Sequence, residues 1–397
     1  MNINNYIRVG TKYFKKIWAD DGTGIKRRQI IQWSRETIID DLGKEVLKQI
    51  EKYDGFINYP DNKNYQQIID NKWNVYQPMP FKEATEAEYK EPTKTLDFIK
   101  HIFGDMYEIG LKYLKVLYEM PRQKLPILVL TSRERMTGKS TFIDYVVSLF
   151  GENSTILDPT QMTSAFNSSY SNKVVIAIEE TEFQSKVVSE KLKALATLNK
   201  ISVNTKGLPE YEAPFYGKLI LASNNEDRFA MVSDDEIRYF VVVVPKIEKL
   251  NVNILKDMLD EAPNFLYYLS NYVEVEVKTR MVFTEEEIKT DALQNVKNES
   301  KSNLAKDILI TLELLGDQYP EEEYFYFTSA DMQVRFKNIS LHYINRVLTK
   351  ELGFVKTTSN ITFKSINDMG NVNPYKRGFA FRYKNKNYNK DAIMGIV

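Results

Sequence analysis

Four short runs of uninterrupted apolar residues constrain this chain more than any other feature: Ile127-Leu128-Val129-Leu130, then 174–178, 219–222 and 239–244. A strand with one wet face alternates apolar and polar residues, so a run without alternation marks a strand covered on both faces. Strands of that kind belong to parallel sheets layered between helices, and helix-length stretches separate these four. The prediction is an α/β fold with a parallel sheet over residues 121–285.

The flanks read differently. Residues 26–53 place Ile30, Ile31, Trp33, Ile38, Ile39 and Leu42 at roughly helical spacing and predict one or two amphipathic helices. Residues 58–91, with Pro60, Pro78 and Pro80, predict an irregular linker. A second helical segment opens near Thr93 and stops at Pro121, so 1–120 is expected to be an N-terminal helical collar. Beyond it, 286–397 is expected to hold a charged linker and a small C-terminal module. There Thr328-Ser329-Ala330-Asp331 and Ser340-Leu341-His342-Tyr343 each open a helix, and strands follow at 361–364 and 379–383, joined by a loop containing Lys376-Arg377-Gly378. Helix, helix and β-ribbon with a basic rim predict a winged-helix-like module whose second helix presents Asn345, Arg346 and Lys350 to a phosphate backbone.

Composition removes several classes. The 54 basic and 54 acidic residues cancel, so no global field draws nucleic acid and any such contact is local. With no cysteine and two histidines, neither a disulfide framework nor a structural zinc site is expected. No apolar run approaches membrane-spanning length and the opening Met1-Asn2-Ile3-Asn4-Asn5 lacks signal-peptide anatomy, which predicts a cytoplasmic protein, in the host cytoplasm if viral, with no membrane partner.

The first apolar run leads into Thr131-Ser132-Arg133-Glu134-Arg135-Met136-Thr137-Gly138-Lys139-Ser140-Thr141 and then an apolar helical stretch. Strand, loop, Gly-Lys-Ser and helix is the context of a phosphate-binding loop for ATP and Mg²⁺. Backbone N–H groups of residues 137–141 would meet phosphate oxygens, Lys139 the β and γ phosphates, and the Ser140 hydroxyl Mg²⁺. Arg133 stands where the usual pattern has its first glycine. The second run ends in Glu179-Glu180, adjacent carboxylates that are costly at a buried strand end unless cationic work awaits them. Glu179 is assigned to the Mg²⁺ shell and Glu180 to polarising the attacking water. The third run ends in Ser223-Asn224-Asn225, where Asn224 could hold that water or sense the γ phosphate from a strand lying between the other two.

Three such strand ends, in this order, resemble the superfamily 3 helicases of DNA viruses, phages and mobile elements, particularly the ATPase half of primase-helicases. The matching segments are 137–141, Ile176-Ala177-Ile178-Glu179-Glu180 and 219–224, with 191–195 and 201–207 similar to that family's hairpin-bearing segment. The resemblance implies an AAA+ P-loop core, a homo-oligomeric ring such as a hexamer, and translocation on single-stranded DNA with separation of forked DNA. It also implies a basic hairpin tip, here Lys206 between the 201–203 strand and the strand at 218–222. An arginine finger donated by the neighbouring subunit would be Arg238, with Arg228 as the other candidate. The acidic pairs Asp20-Asp21 and Asp40-Asp41 lack a metal-binding setting, so either a separate primase or polymerase is a partner, or the chain is the motor portion of a larger system. Two alternatives stay open: an origin-binding or packaging ATPase without unwinding activity, and a DNA-binding assembly protein with a degenerate nucleotide site.

Overall fold

A computed structural model describes residues 3–20, 26–179, 186–204, 210–226, 229–230, 232, 236–369 and 375–389. The chain forms two compact units, one of Met1–Met231 with Ile237–Val296 and one of Val232–Glu236 with Lys297–Val397. No helix among the described residues is long and apolar enough to cross a membrane.

The first unit opens with strands where helices were expected. Tyr6–Val9 (β1), Lys12–Asp20 (β2) and Lys26–Trp33 (β3) form an antiparallel meander, and only Arg35–Leu42 (α1), capped by the Ser34 side chain, is α-helical before Glu51–Tyr53 (β4) pairs parallel to β1. The reason lies in burial on both faces. Ile7, Val9, Phe14 and Ile30 pack on one side of the sheet, whereas Tyr6, Tyr13 and Trp33 pack on the other with Ile38 and Ile50. Apolar residues therefore fall on successive positions, and their spacing imitates a helix. The expected irregular linker contains a small sheet of Gly55–Ile57 (β5), Ile68–Ile69 (β6) and Lys72–Asn74 (β7). One side chain organises it: the Asn74 amide accepts from Tyr59 N and Tyr76 N and donates to Tyr59 O and Gln66 O.

Helices Thr93–Phe103 (α2) and Tyr107–Glu119 (α3) form as expected, but they share the core of the central sheet. Phe103 lies edge-on to Phe142 and stacks near Phe240, and the missing side chain of Gly110 lets α3 approach that ring, since a Cβ there would stand 2.4 Å from it. Next come Ile127–Thr131 (β8), Lys139–Phe150 (α4), Ser154–Leu157 (β9), Val175–Ile178 (β10) and Lys186–Thr197 (α5). An antiparallel ribbon of Lys200–Val203 (β11) and Tyr211–Pro214 (β12) precedes Lys218–Ser223 (β13) and Tyr239–Val243 (β14). The sheet order is β14-β8-β13-β10-β9, every pair parallel, and the apolar runs are buried strands as predicted. Ile254–Asp260 (α6), Ala262–Tyr272 (α7) and Asp291–Glu299 (α8) follow.

The second unit runs Asn303–Gln318 (α9), Tyr324–Phe327 (β15), Ser329–Arg335 (α10), Leu341–Arg346 (α11), Ile361–Lys364 (β16), Tyr375–Gly378 (β17) and Phe381–Lys384 (β18). Thr328 and Asp331 close a capping box on α10, and Ser340 caps α11, at the positions the sequence marks. The expected loop at Lys376-Arg377-Gly378 is instead strand β17, paired with β16, while β18 pairs with β15. Its residues are polar and mostly exposed, so no apolar pattern announces it.

Candidate functional site

Parallel pairing brings the carboxyl ends of β8, β13 and β10 to one edge of the sheet. Thr131 stands level with Ser223 and Val243, and Ile178 level with Leu221, so Ser132, Glu179 and Asn224 all leave the sheet at that edge, with β13 between the other two as expected. Ser132 N donates to Ser223 O at 3.2 Å, which joins the first and third strand ends directly.

The loop between β8 and α4 is built around two residues in left-handed conformation, Met136 at φ 59° and Gly138 at φ 90°. A Cβ on Gly138 would meet the Phe98 ring at 3.1 Å and Ile247 at 3.3 Å, so glycine answers both the backbone angle and the space. The loop is held from outside: His101 Nε2 lies 3.0 Å from Thr137 O, and Ile247 N donates to Met136 O at 3.1 Å. Thr137 is buried, Ser140 is exposed and Thr141 half-buried in the first turn of α4, whose N-terminus carries no side-chain cap. Among the described residues, N–H groups without a side-chain cap and the positive end of a twelve-residue helix therefore face one place.

Lys139 is 7% exposed, and its hydrogen bond within the described residues goes to the neutral Thr137 Oγ1 at 3.2 Å. Burial holds the ammonium below the ordinary lysine range, with the Glu226 carboxylate acting in the opposite direction. A buried cation so weakly compensated, beside uncapped helix N–H groups, fits an anion such as a phosphate chain. Glu179, half-buried, and the exposed Ser140 hydroxyl could contribute two oxygens to Mg²⁺; the remaining ligands would come from phosphate and water. Among the described residues no cluster of three or more His, Cys, Asp or Glu side chains forms a metal site by itself.

Sequence reasoning missed two residues here. Glu226 accepts from Arg133 N at 2.9 Å and pairs with Arg133 Nε at 3.2 Å, so a carboxylate from beyond β13 anchors the loop where its first glycine is replaced. His101 reaches the loop from α2. Both contacts are tertiary, and neither residue sits in a recognisable motif.

Other expected residues lie elsewhere. Arg238 precedes β14 at the opposite edge: its carbonyl accepts from Ile127 N, and its guanidinium reaches Lys193 O at 3.4 Å. Ile127 and Thr131 are separated by the length of β8, roughly 13 Å at about 3.3 Å per residue. The structure thus does not bring Arg238 to the phosphate-type loop of its own chain. Glu180, Lys206 and Arg228 lie outside the described residues. The ribbon carrying Lys206 in sequence pairs β11 with β12, not with the strand at 218–223, because the turn back into the sheet comes after Pro214. In the second unit Arg346 and Lys350 are exposed, but Asn345 accepts from Ser329 Oγ at 3.0 Å, and Lys376 is engaged by Asp331 and Asp368. These last two serve the module's own packing.

The model of a family of unknown function, DUF5906, matches residues 130–238, the stretch from the end of β8 to the start of β14. Among solved structures, the C-terminal region of NrS-1 in its apo A form aligns over 95% of this chain and 95% of that one, with a TM-score of 0.63 and 14% identity. A second apo structure of that region gives 0.62 and 15% over the same shares. At such identity the likeness is one of fold, and it extends over both units. A JCV helicase aligns over 58% of this chain and 63% of that one with a TM-score of 0.30 and 9% identity, too distant to bear on the argument. No curated protein sequence matches the chain.

Proposed function

We propose that the chain is an ATP-hydrolysing motor of the AAA+ class and a superfamily 3-like DNA helicase, acting as a homo-oligomeric ring on single-stranded DNA. One observation carries the reading: a left-handed glycine, a buried and weakly compensated Lys139, and the ends of β10 and β13 meet at one edge of a parallel sheet. In this reading the 137–141 backbone and Lys139 bind and orient the triphosphate, and Ser140 and Glu179 would hold Mg²⁺. When bound, Mg²⁺ supplies charge neutralisation at the phosphates. Glu180 accepts a hydrogen bond from the attacking water and polarises it, Asn224 positions that water, and as the water oxygen bonds the γ phosphorus the bond to the ADP oxygen breaks and the water's proton leaves by way of Glu180.

Arg238 then serves the neighbouring subunit. Its place at the far edge of its own sheet supports a composite site between chains, in which the guanidinium stabilises charge in the transition state. Lys206 is proposed as a channel contact with DNA. The order helix, strand, helix, helix and three strands in the second unit, with Arg346 exposed at the end of α11 and Lys350 exposed in the turn that follows it, supports a winged-helix reading and a phosphate-backbone contact.

Lys139→Ala should lower ATP turnover by at least about a hundredfold while the far-ultraviolet circular dichroism is unchanged, because the side chain serves phosphate charge. Turnover measured with and without single-stranded DNA, beside strand displacement on a fork, tests the whole reading. A wild-type chain that hydrolyses no ATP would overturn it in favour of a degenerate site, and DNA-stimulated turnover without displacement would leave an ATPase that is not a helicase.

A further inference from the structure

The usual pattern of a phosphate-binding loop opens with glycine, and this chain has Arg133 there. The backbone does not call for glycine at that position. Within the loop the left-handed angles fall at Met136 and Gly138, and Arg133 is not among the residues with positive φ. What stands in its place is a side chain with a partner. Glu226 Oε1 accepts from Arg133 N at 2.9 Å and its Oε2 lies 3.2 Å from Arg133 Nε, so one carboxylate holds both the backbone and the side chain of the first loop residue.

Glu226 comes from the segment that follows β13, two residues beyond Asn224. That segment and the start of the loop run side by side. Ser132 N donates to Ser223 O at 3.2 Å, Asn225 N turns back onto Ser223 Oγ at 3.0 Å, and Glu134 N onto Ser132 Oγ at 3.1 Å. Asn224 is therefore flanked by two attachments to the loop, the Ser223 carbonyl before it and the Glu226 carboxylate after it. A residue pinned on both sides moves with what it is pinned to. The same carboxylate acts on Lys139, opposing the effect of burial on its ammonium. Glu226 thus brings negative charge to a loop suited to anions, and the Arg133 guanidinium sits against it.

We infer that Glu226, through Arg133, couples the nucleotide loop to the strand end bearing Asn224, as a positioning residue that keeps triphosphate and attacking water in one frame. The arginine at the first-glycine position is then half of a working pair and not the mark of a degenerate site. This role in hydrolysis rests on the ATPase reading. A surface ion pair of no consequence would join side chains alone. Here the carboxylate also takes a backbone N–H of the loop, while His101 from α2 and Ile247 N from beyond β14 hold the loop's other half.

The test measures ATP turnover, affinity for a fluorescent ATP analogue and hydrogen exchange of the loop amides, all in the full chain. Glu226→Ala should lower kcat by about tenfold or more and change the affinity by less than about threefold, because the binding groups stay and their alignment with the water is lost. Glu226→Gln keeps an acceptor for Arg133 N and should retain more of the turnover. Arg133→Ala should cost less than Glu226→Ala, and the double variant no more than Glu226→Ala alone. Arg133→Gly, which restores the usual pattern, should lower turnover and not raise it. Normal kcat in Glu226→Ala, a loss confined to KM, or effects that multiply in the double variant would overturn the inference and leave the ATPase reading intact. A wild-type chain without turnover sinks that reading instead, and exchange then decides whether Glu226 couples the loop to the strand end. Amides of 133–138 that exchange about tenfold faster in Glu226→Ala support the coupling, and equal protection in the two chains refutes it.

Discussion

Lys124 shows how a single buried cation can tie separate chain segments together. Its ammonium donates to Leu198 O at the end of α5 and to Phe215 O, 2.9 Å away, at the end of β12; Arg280 reaches Thr197 O at 2.6 Å. Unsatisfied carbonyls and the negative end of α5 are thus met by positive charge. The cost is desolvation. Burial pushes the Lys124 pKa down to about 8, with the Arg280 charge adding to it, and burial holds the neighbouring Lys218 well below the lysine range. Below pH 8 both the folded and unfolded chains carry the Lys124 proton, so the penalty is fully present. From about pH 8 to 10.5 the unfolded chain keeps a proton that the folded chain has released, and stability rises with pH. The neutral amine still has two N–H groups for its two carbonyls. Melting of the wild type relative to Lys124→Met should therefore be flat below pH 8 and climb above it, by on the order of 1–3 kcal/mol across the window. A difference that stays constant from pH 7 to 10 would mean that Lys124 titrates normally.

At the scale of elements, α2 begins without a cap of its own, since Pro92 offers no side-chain acceptor. Glu261, between α6 and α7, supplies one from a distance: its carboxylate accepts from Thr95 N at 2.8 Å and Thr95 Oγ1 at 2.7 Å. A charged acceptor on a helix N-terminus is worth about 1–3 kcal/mol. Because α2 carries Phe98 against Gly138 and His101 to Thr137 O, Glu261→Ala should lower the melting temperature and also weaken nucleotide binding, while Glu261→Gln should do less of both. Normal binding of a fluorescent ATP analogue in a destabilised Glu261→Ala chain would show that α2 does not support the loop. This coupling could not be read from the sequence, whereas the central sheet could, because strands buried on both faces leave unbroken apolar runs. The meander β1–β3 was misread for a related reason: burial on both faces put Ile30, Ile31 and Trp33 close together without alternation, and the window spilled into α1. The three strand ends were legible as motifs at fixed spacing. Glu226, joined to Arg133 only through the folded chain, was not.

For the whole molecule, the decisive geometry is the separation of Lys139 from Arg238 across the sheet. Arg238 shares its edge with Ile127, at the start of the strand whose end leads to the loop bearing Lys139, so one chain does not bring this arginine to its own loop. A ring in which each chain lends Arg238 to the next would make every site composite, with half from each neighbour. Arg238→Ala and Lys139→Ala chains should then both be inactive alone, for different reasons: the first keeps its loop and lacks a finger to give, the second gives a finger and lacks a loop. In random mixed rings at equal proportions, an Arg238→Ala chain followed by a Lys139→Ala chain in the donating position restores one complete interface. That arrangement arises at roughly a quarter of interfaces, so ATP turnover should recover toward a quarter of the wild-type rate and fall away at either extreme of the mixing ratio. Coupling among subunits can hold the recovery below that ceiling, but a maximum near equal proportions is required. A flat, inactive profile across all ratios, with mixed assembly verified by native mass spectrometry, would remove Arg238 as the shared residue and leave Arg228 to be tested in the same way.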